Sequence, residues 1–287
     1  MHQLTAFKRS TSFLDVKRRH QFYFANITKA KSGFASTVLR ALTAAKPSHP
    51  VYALIAVDVQ NGFISGKLSL SKSPAGHDGT EVVPIINNLI QTVPFDVIVY
   101  TQDWHPQNHI SFFDNLELRR KFLKGDQNRT INMFDEVIYT GPKVETEQVL
   151  WPTHCVEKTD DAALHKNLDI ISDTNKVIFI KKGVDADIDS YSAFSDNNGA
   201  KKTDLHEKLK ERNVTHVFVT GLATDYCVAA TALDAFNLNY TTFIVEDACR
   251  GVALDTIESK LDDLKQLGVR IIQADQVKPL VNSTNVR

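Results

Sequence analysis

Val217-Phe218-Val219-Thr220-Gly221-Leu222-Ala223-Thr224-Asp225-Tyr226-Cys227-Val228 decides how the rest of the chain is read. The apolar run 217–220 predicts a short buried strand, and the residues after it predict the first turn of a helix reaching about residue 236. A cysteine delivered to a helix N-terminus meets the positive end of the dipole and free backbone N–H groups, which stabilise its thiolate. The thiolate, not the thiol, is the nucleophile. The plainer reading of Cys227 is a small residue packing a helix against a sheet. Taken alone, a cysteine in this position favours that plainer reading.

Outward from this stretch, strand-like and helix-like runs alternate. Residues 52–57, 97–100, 177–180, 240–245 and 269–272 read as further buried strands. Helical spacing covers 82–93, where Val82, Ile85, Ile86, Leu89 and Ile90 recur, and also 204–212 and 254–267. A short helix is expected over 161–168. Residues 101–160 form a long connection without strong periodicity, and loops of that length in a compact domain are usually functional. The alternation predicts an α/β fold: three layers, doubly wound, with a mostly parallel six-stranded sheet and helices on both faces. With no repeat or low-complexity linker after residue 50, residues 51–287 are expected to form a single domain.

At 287 residues and 43% hydrophobic, the chain can build one large core. A formal net charge of -1 gives no reason to expect a nucleic-acid partner. No apolar stretch is long enough to span a bilayer, so no membrane partner is expected either. Cys155, Cys227 and Cys249 are too few and odd in number for a disulfide framework, and they fit a reducing, cytoplasmic compartment. Residues 1–50 differ: Lys8, Arg9, Lys17, Arg18, Arg19, Lys29, Lys31, Arg40 and Lys46 face one acid, Asp15. This basic N-terminal extension reads as a solvated, disordered arm or as a mitochondrial targeting segment. The arm is favoured, because a transit helix would need a clear apolar phase.

In a doubly wound sheet, ligands bind beyond the carboxyl ends of the strands. The first strand ends on Val57 and is followed by Asp58, and no G-x-G-x-x-G comes after it, so a dinucleotide fingerprint is absent. The second leads to Asp103-Trp104-His105, the third to Lys181-Lys182-Gly183 and the fourth to Cys227. A cysteine nucleophile needs a base for its proton and a positive field for its thiolate. Asp58 can shuttle the proton and Lys182 can supply the field. Asp58 can equally be a turn or N-cap residue, and Lys181 competes with Lys182. In an extended segment Asp103 and His105 point the same way and can share one ion. His154 in Trp151-Pro152-Thr153-His154-Cys155 offers a third ligand, which leaves open positions as a catalytic site requires. Carboxylate and imidazole together suit zinc, iron or manganese. His109 is either an extra ligand or a packed histidine.

These motifs resemble, in order and over roughly residues 51–280, those of the nicotinamidases of the isochorismatase-like cysteine hydrolase superfamily. The resemblance rests on Asp58-Val59-Gln60-Asn61-Gly62-Phe63, Thr101-Gln102-Asp103-Trp104-His105-Pro106, Trp151-Pro152-Thr153-His154-Cys155, Lys182-Gly183 with Tyr191-Ser192-Ala193-Phe194, and the Cys227 stretch. It implies a catalytic triad of Asp58, Lys182 and Cys227, and one divalent metal, zinc favoured over iron or manganese, on Asp103, His105 and His154. It implies a cis peptide at Leu222–Ala223 and an oxyanion hole from the N–H groups of Ala223 and Cys227. Phe63, Trp151 and Tyr191 then match the walls around a pyridine ring. The implied reaction takes nicotinamide and water to nicotinate and ammonia through a thioester, as in NAD salvage. A homo-oligomer is compatible with it. The alternatives are an amidohydrolase for another small amide, such as a carbamoyl or ureido compound, or an inactive binding protein on the same fold. The metal motif argues against the former. Cys155 is a wall or a packing residue, and Cys249 is expected to be structural.

Overall fold

The structure, a computed structural model, describes residues 49–283. The basic extension expected over 1–50 lies outside them, except for its last two positions. The strands in chain order are β1 (Tyr52–Val57), β2 (Val97–Asp103), β3 (Glu136–Tyr139), β4 (Thr146–Val149), β5 (Val177–Lys182), β6 (His216–Leu222), β7 (Thr241–Arg250) and β8 (Arg270–Ile272). Every residue of β1 is apolar and buried. Tyr52, Leu54 and Ala56 enter one hydrophobic layer, while Ala53, Ile55 and Val57 enter the other. A strand covered on both faces requires this continuous apolar pattern.

Six strands form one sheet in the order β5-β2-β1-β6-β7-β8, with every neighbouring pair parallel. The longer helices are α1 (Val82–Thr92), α2 (Leu205–Glu211), α3 (Ala229–Asn237), α4 (Leu254–Leu267) and α5 (Ala274–Ser283). Val82, Ile86 and Leu89 of α1 and Val277 and Val281 of α5 cover one face. Leu205 and Leu209 of α2, Ala232 and Ala235 of α3, and Leu261 and Leu264 of α4 cover the other. The three-layer, doubly wound sheet expected from the sequence is therefore present, and it is parallel throughout. The chain runs outward from β1 to β2 and β5, then crosses to β6 on the other side of β1. This reversal puts the ligand crevice beyond the ends of β1 and β6, where Asp58 and Cys227 lie.

Four local expectations change. Within 101–160, β3 and β4 pair antiparallel as a separate hairpin over their own cluster, which includes Ile110, Leu123, Val137 and Leu150. The helix expected at 161–168 is only a 3-10 turn, Asp160–Ala162. The backbone after it is drawn into pairing with the segment that follows β1: Asn61 N donates to Ala163 O at 3.0 Å, and His165 N to Val59 O at 2.8 Å. The helix after β6 opens with a π-helical turn, Thr224–Val228, before α3 begins. Helix α5 was not expected; Pro279 inside it hides its pattern. Among the described residues, no helix is long and apolar enough to cross a membrane.

Candidate active site

Asp58, Asp103, Lys182 and Cys227 arrive from four different strand ends and meet around one amine. Lys182 Nζ donates to Cys227 Sγ at 3.2 Å and to Ser190 O at 3.1 Å. It lies 2.8 Å from Asp58 Oδ2 and also donates to Asp103 Oδ1. Lys182 is 1% exposed and Asp58 fully buried. Lys181 drops out of the competition, since its amine sits 3.5 Å above the ring of Trp104.

Asp58 is not a helix N-cap. Its φ is 49°, and its Oδ1 accepts from Thr101 Oγ1 at 2.6 Å. Its Oδ2 faces Lys182 as an ion pair but has no aligned hydrogen-bond donor, so a lone pair is left to take a proton. Burial pushes this carboxyl up, Lys182 pulls it back and the charge of Asp103 pushes it up again, to about 6. Burial holds the Cys227 thiol well above its ordinary range despite the neighbouring amine. Burial thus favours the neutral thiol of Cys227.

The backbone of the cysteine turn is irregular. Leu222–Ala223 is cis, as the motif implied. Gly221 has φ 110°, and a Cβ there would collide with the backbone of Val57; glycine lets β6 end tightly against β1. Ala223 O accepts from Tyr226 N and from Val228 N, both at 3.1 Å. In an α-helical turn that carbonyl would serve Cys227 N–H; the π-turn passes over it. Asp225 ties the turn to the start of α4, accepting from Val252 N at 2.9 Å, Ala253 N at 3.2 Å and Thr256 Oγ1 at 2.5 Å.

Beside the amine, Asp103, His105 and His154 turn one ligand atom each toward a common point, within 4.8 Å of one another. Asp103 Oδ2 lies 3.5 Å from His105 Nε2 and 3.8 Å from His154 Nε2. His105 Nδ1 meets Gly183 O at 2.9 Å and His154 Nδ1 meets Pro152 O at 2.7 Å. A carbonyl only accepts, so each Nδ1 carries a proton, and each Nε2 is the nitrogen that a neutral ring would offer to a metal. Burial opposes ionisation of Asp103, but Lys182 and the histidines outweigh it and hold the carboxyl well below its usual range. One carboxylate and two imidazoles with an open side fit a divalent ion. Gly183, at φ 63°, permits the approach, because a Cβ there would strike the His105 ring. His109 stacks on His105 with centroids 4.0 Å apart, and its Nε2 lies 3.9 Å from Asp189 Oδ1 rather than in the Asp103 cluster.

A cavity joins the cysteine to this cluster. Phe63, Trp151 and Tyr191 line it, together with Ala223. Leu68, Leu70, Asp189, Tyr226 and Val252 also line it, and sequence reasoning missed all five. Tyr226 adjoins Cys227 and was within reach of it; the other four sit in segments without periodicity or motif. Cys155 is buried against Gly62, and its N–H donates to Asp161 Oδ2 at 2.7 Å, so it packs behind the cavity. Cys249 is buried in the sheet–helix core.

An isochorismatase domain model matches residues 52–276. The nicotinamidase of Acinetobacter baylyi is 39% identical over 226 residues, covering 78% of this chain and 94% of its own. The structure of the yeast nicotinamidase Pnc1p bound to the inhibitor nicotinaldehyde superposes with a TM-score of 0.65 at 31% identity, covering 78% of this chain and all of that one (100%). The pyrazinamidase of Pyrococcus horikoshii in complex with zinc superposes with a TM-score of 0.57 at 31% identity, covering 78% of this chain and 99% of its own.

Proposed function

This chain belongs to the isochorismatase domain family, and on that premise we propose that it is a metal-containing cysteine amidohydrolase that converts nicotinamide and water to nicotinate and ammonia. The observation that carries the reading is the single buried amine of Lys182, which joins the thiol of Cys227 to the carboxylates of Asp58 and Asp103. Nicotinamidase relatives at this identity and coverage support the substrate.

Asp58 takes the proton from Cys227, and the sulfur attacks the carboxamide carbon. The new C–S bond places negative charge on the amide oxygen, which the N–H groups of Ala223 and Cys227 receive. A single such donor is typically worth about 3–4 kcal/mol. Asp58 returns its proton to the nitrogen as the C–N bond breaks, and ammonia leaves a thioester on Cys227. A water deprotonated by Asp58 then attacks the thioester carbon; as the C–S bond breaks, Asp58 passes that proton to the Cys227 sulfur, and the released acid ionises to nicotinate. Lys182 stays protonated throughout and stabilises the thiolate and the ionised Asp58. Phe63, Trp151 and Tyr191 enclose the ring. Asp103, His105 and His154 would hold the ion, for which we propose zinc. When bound, it supplies a Lewis-acid anchor for the pyridine nitrogen. A role in NAD salvage and a cytoplasmic location belong to the same proposal; three free, buried cysteines suit a reducing compartment.

Two measurements test this reading. Chelation followed by dialysis is expected to remove both the metal and ammonia release from nicotinamide, with both returning when metal is added back. Asp103→Ala is expected to lose bound metal, read by elemental analysis, and to raise KM steeply. Ammonia release from carbamoyl or ureido compounds alone, by a metal-free protein, would transfer the chain to those amides. A second expectation concerns pH. The base form of Asp58 is required and its carboxyl sits at about 6, so kcat/KM falls as pH drops through that value. It should be about tenfold below its plateau at pH 5. A flat profile from pH 7 to 5 would remove Asp58 from the role.

A further inference from the structure

Phe134 occupies an unusual backbone position, with φ 73°. Glycine, asparagine and aspartate enter the left-handed region at low cost, whereas a bulky aromatic is an outlier there. The local chain imposes the conformation. Phe134 N donates to Leu150 O at 2.7 Å and Asp135 N to Asn132 O at 3.1 Å, while Asn132 N donates to Asp135 Oδ2 at 2.8 Å. A turn of this kind is met without strain by asparagine or glycine, so the turn does not explain the ring. Core burial does not explain it either, because Phe134 is 38% exposed.

The ring faces a wall of the cavity. Phe134 meets Trp151 edge-on, with centroids 6.1 Å apart and planes at 78°. Two further contacts fix the same indole: Tyr226 packs edge-on at 4.8 Å and 85°, and Trp151 Nε1 donates to Tyr191 Oη at 3.2 Å. Leu150, whose carbonyl anchors Phe134, belongs to the apolar cluster under the β3–β4 hairpin. The hairpin thus holds a strained turn, and the turn holds a ring against Trp151.

We propose that Phe134 is a positioning residue for substrate binding: its left-handed turn presses the ring against Trp151 and pre-sets the indole as the wall for an aromatic amide. This rests on the cavity being the pyridine-carboxamide site. A side chain ordered before the ligand arrives need not be ordered by it, which strengthens binding without touching the reacting atoms. Backbone strain kept at a cavity wall is the signature expected of such a residue.

Phe134→Gly separates ring from turn, because glycine adopts the same backbone without strain. The variant is expected to melt at or above the wild-type temperature. Its KM for nicotinamide should rise roughly three- to tenfold, the range an aromatic pair supports, with kcat within about twofold. Acrylamide quenching of tryptophan emission should increase as Trp151 loosens; Trp104 is the other tryptophan and is common to both proteins. Phe134→Tyr should restore KM. Unchanged KM and quenching in Phe134→Gly would overturn the proposal, as would a joint fall of kcat and melting temperature, which marks a merely structural role. If the wild-type chain does not hydrolyse nicotinamide, the functional reading fails separately, while quenching still decides whether Phe134 holds Trp151.

Discussion

Replacing Cys227 by alanine is expected to abolish nicotinamide hydrolysis while leaving the fold in place. Loss of the attacking atom in covalent mechanisms costs about 10⁴- to 10⁶-fold in kcat, and no other side chain here can replace it. Cys155 packs behind the cavity against Gly62, and Cys249 lies in the core with its thiol on Val245 O at 3.2 Å. The fold should tolerate the change because the sulfur is one of several partners of Lys182. Without it, the amine still has Asp58, Asp103 and Ser190 O, so no buried charge is orphaned. The expected cost is that of one small buried group, about 1 kcal/mol. Ammonia release together with urea unfolding checks both halves. Residual turnover within tenfold of wild type would remove Cys227 from the chemistry.

The second large effect is expected from Lys182→Met, and here stability and activity should fall together. Methionine keeps the length but removes the amine that contacts two buried carboxylates, Asp58 and Asp103. Breaking a buried charge pair by deleting one partner typically costs about 3–5 kcal/mol. For a chain of this size that is roughly 6–20 °C in melting temperature. The lost charge also changes the proton inventory. Lys182 is what pulls Asp58 back toward ionisation against burial and Asp103, so without it the carboxyl rises above about 6 and is protonated near neutral pH. A protonated Asp58 cannot accept the thiol proton. The acid limb of kcat/KM should therefore shift to higher pH in whatever activity remains. A variant as stable as wild type, with an unshifted limb, would show that the amine is not the hub of the site.

The residues of both variants are legible in the chain alone, for a physical reason. Parallel strands are apolar on both faces, so each appears as a short β-branched run. The residues just after such a run lie on the ligand-binding edge of the sheet. Asp58, Asp103, Lys182 and Cys227 all stand at such positions. The proposed ligand pair Asp103 and His105 is readable because strand β2 runs through Asp103. Elsewhere the rule has no purchase. Strands β3 and β4 have four residues each, with exposed and buried positions mixed, too short to separate from loop. The expected helix at 161–168 fails because its backbone partners are Val59 and Asn61, about a hundred residues earlier. Leu68, Leu70, Asp189 and Val252 become cavity walls through tertiary packing. The π-turn at Thr224–Val228 differs from an α-turn by one hydrogen bond, which composition does not encode. It nevertheless gives the Ala223 carbonyl to Tyr226 N and Val228 N.

The most direct measurement is the stoichiometry of ammonia and nicotinate formed from nicotinamide by the metal-replete protein, run beside Cys227→Ala. Wild type is expected to release one ammonia for each nicotinate, and Cys227→Ala to release neither. Metal-replete wild type that forms no nicotinate, or a Cys227→Ala protein that still forms it, would contradict a cysteine amidohydrolase built on Cys227, Asp58 and Lys182.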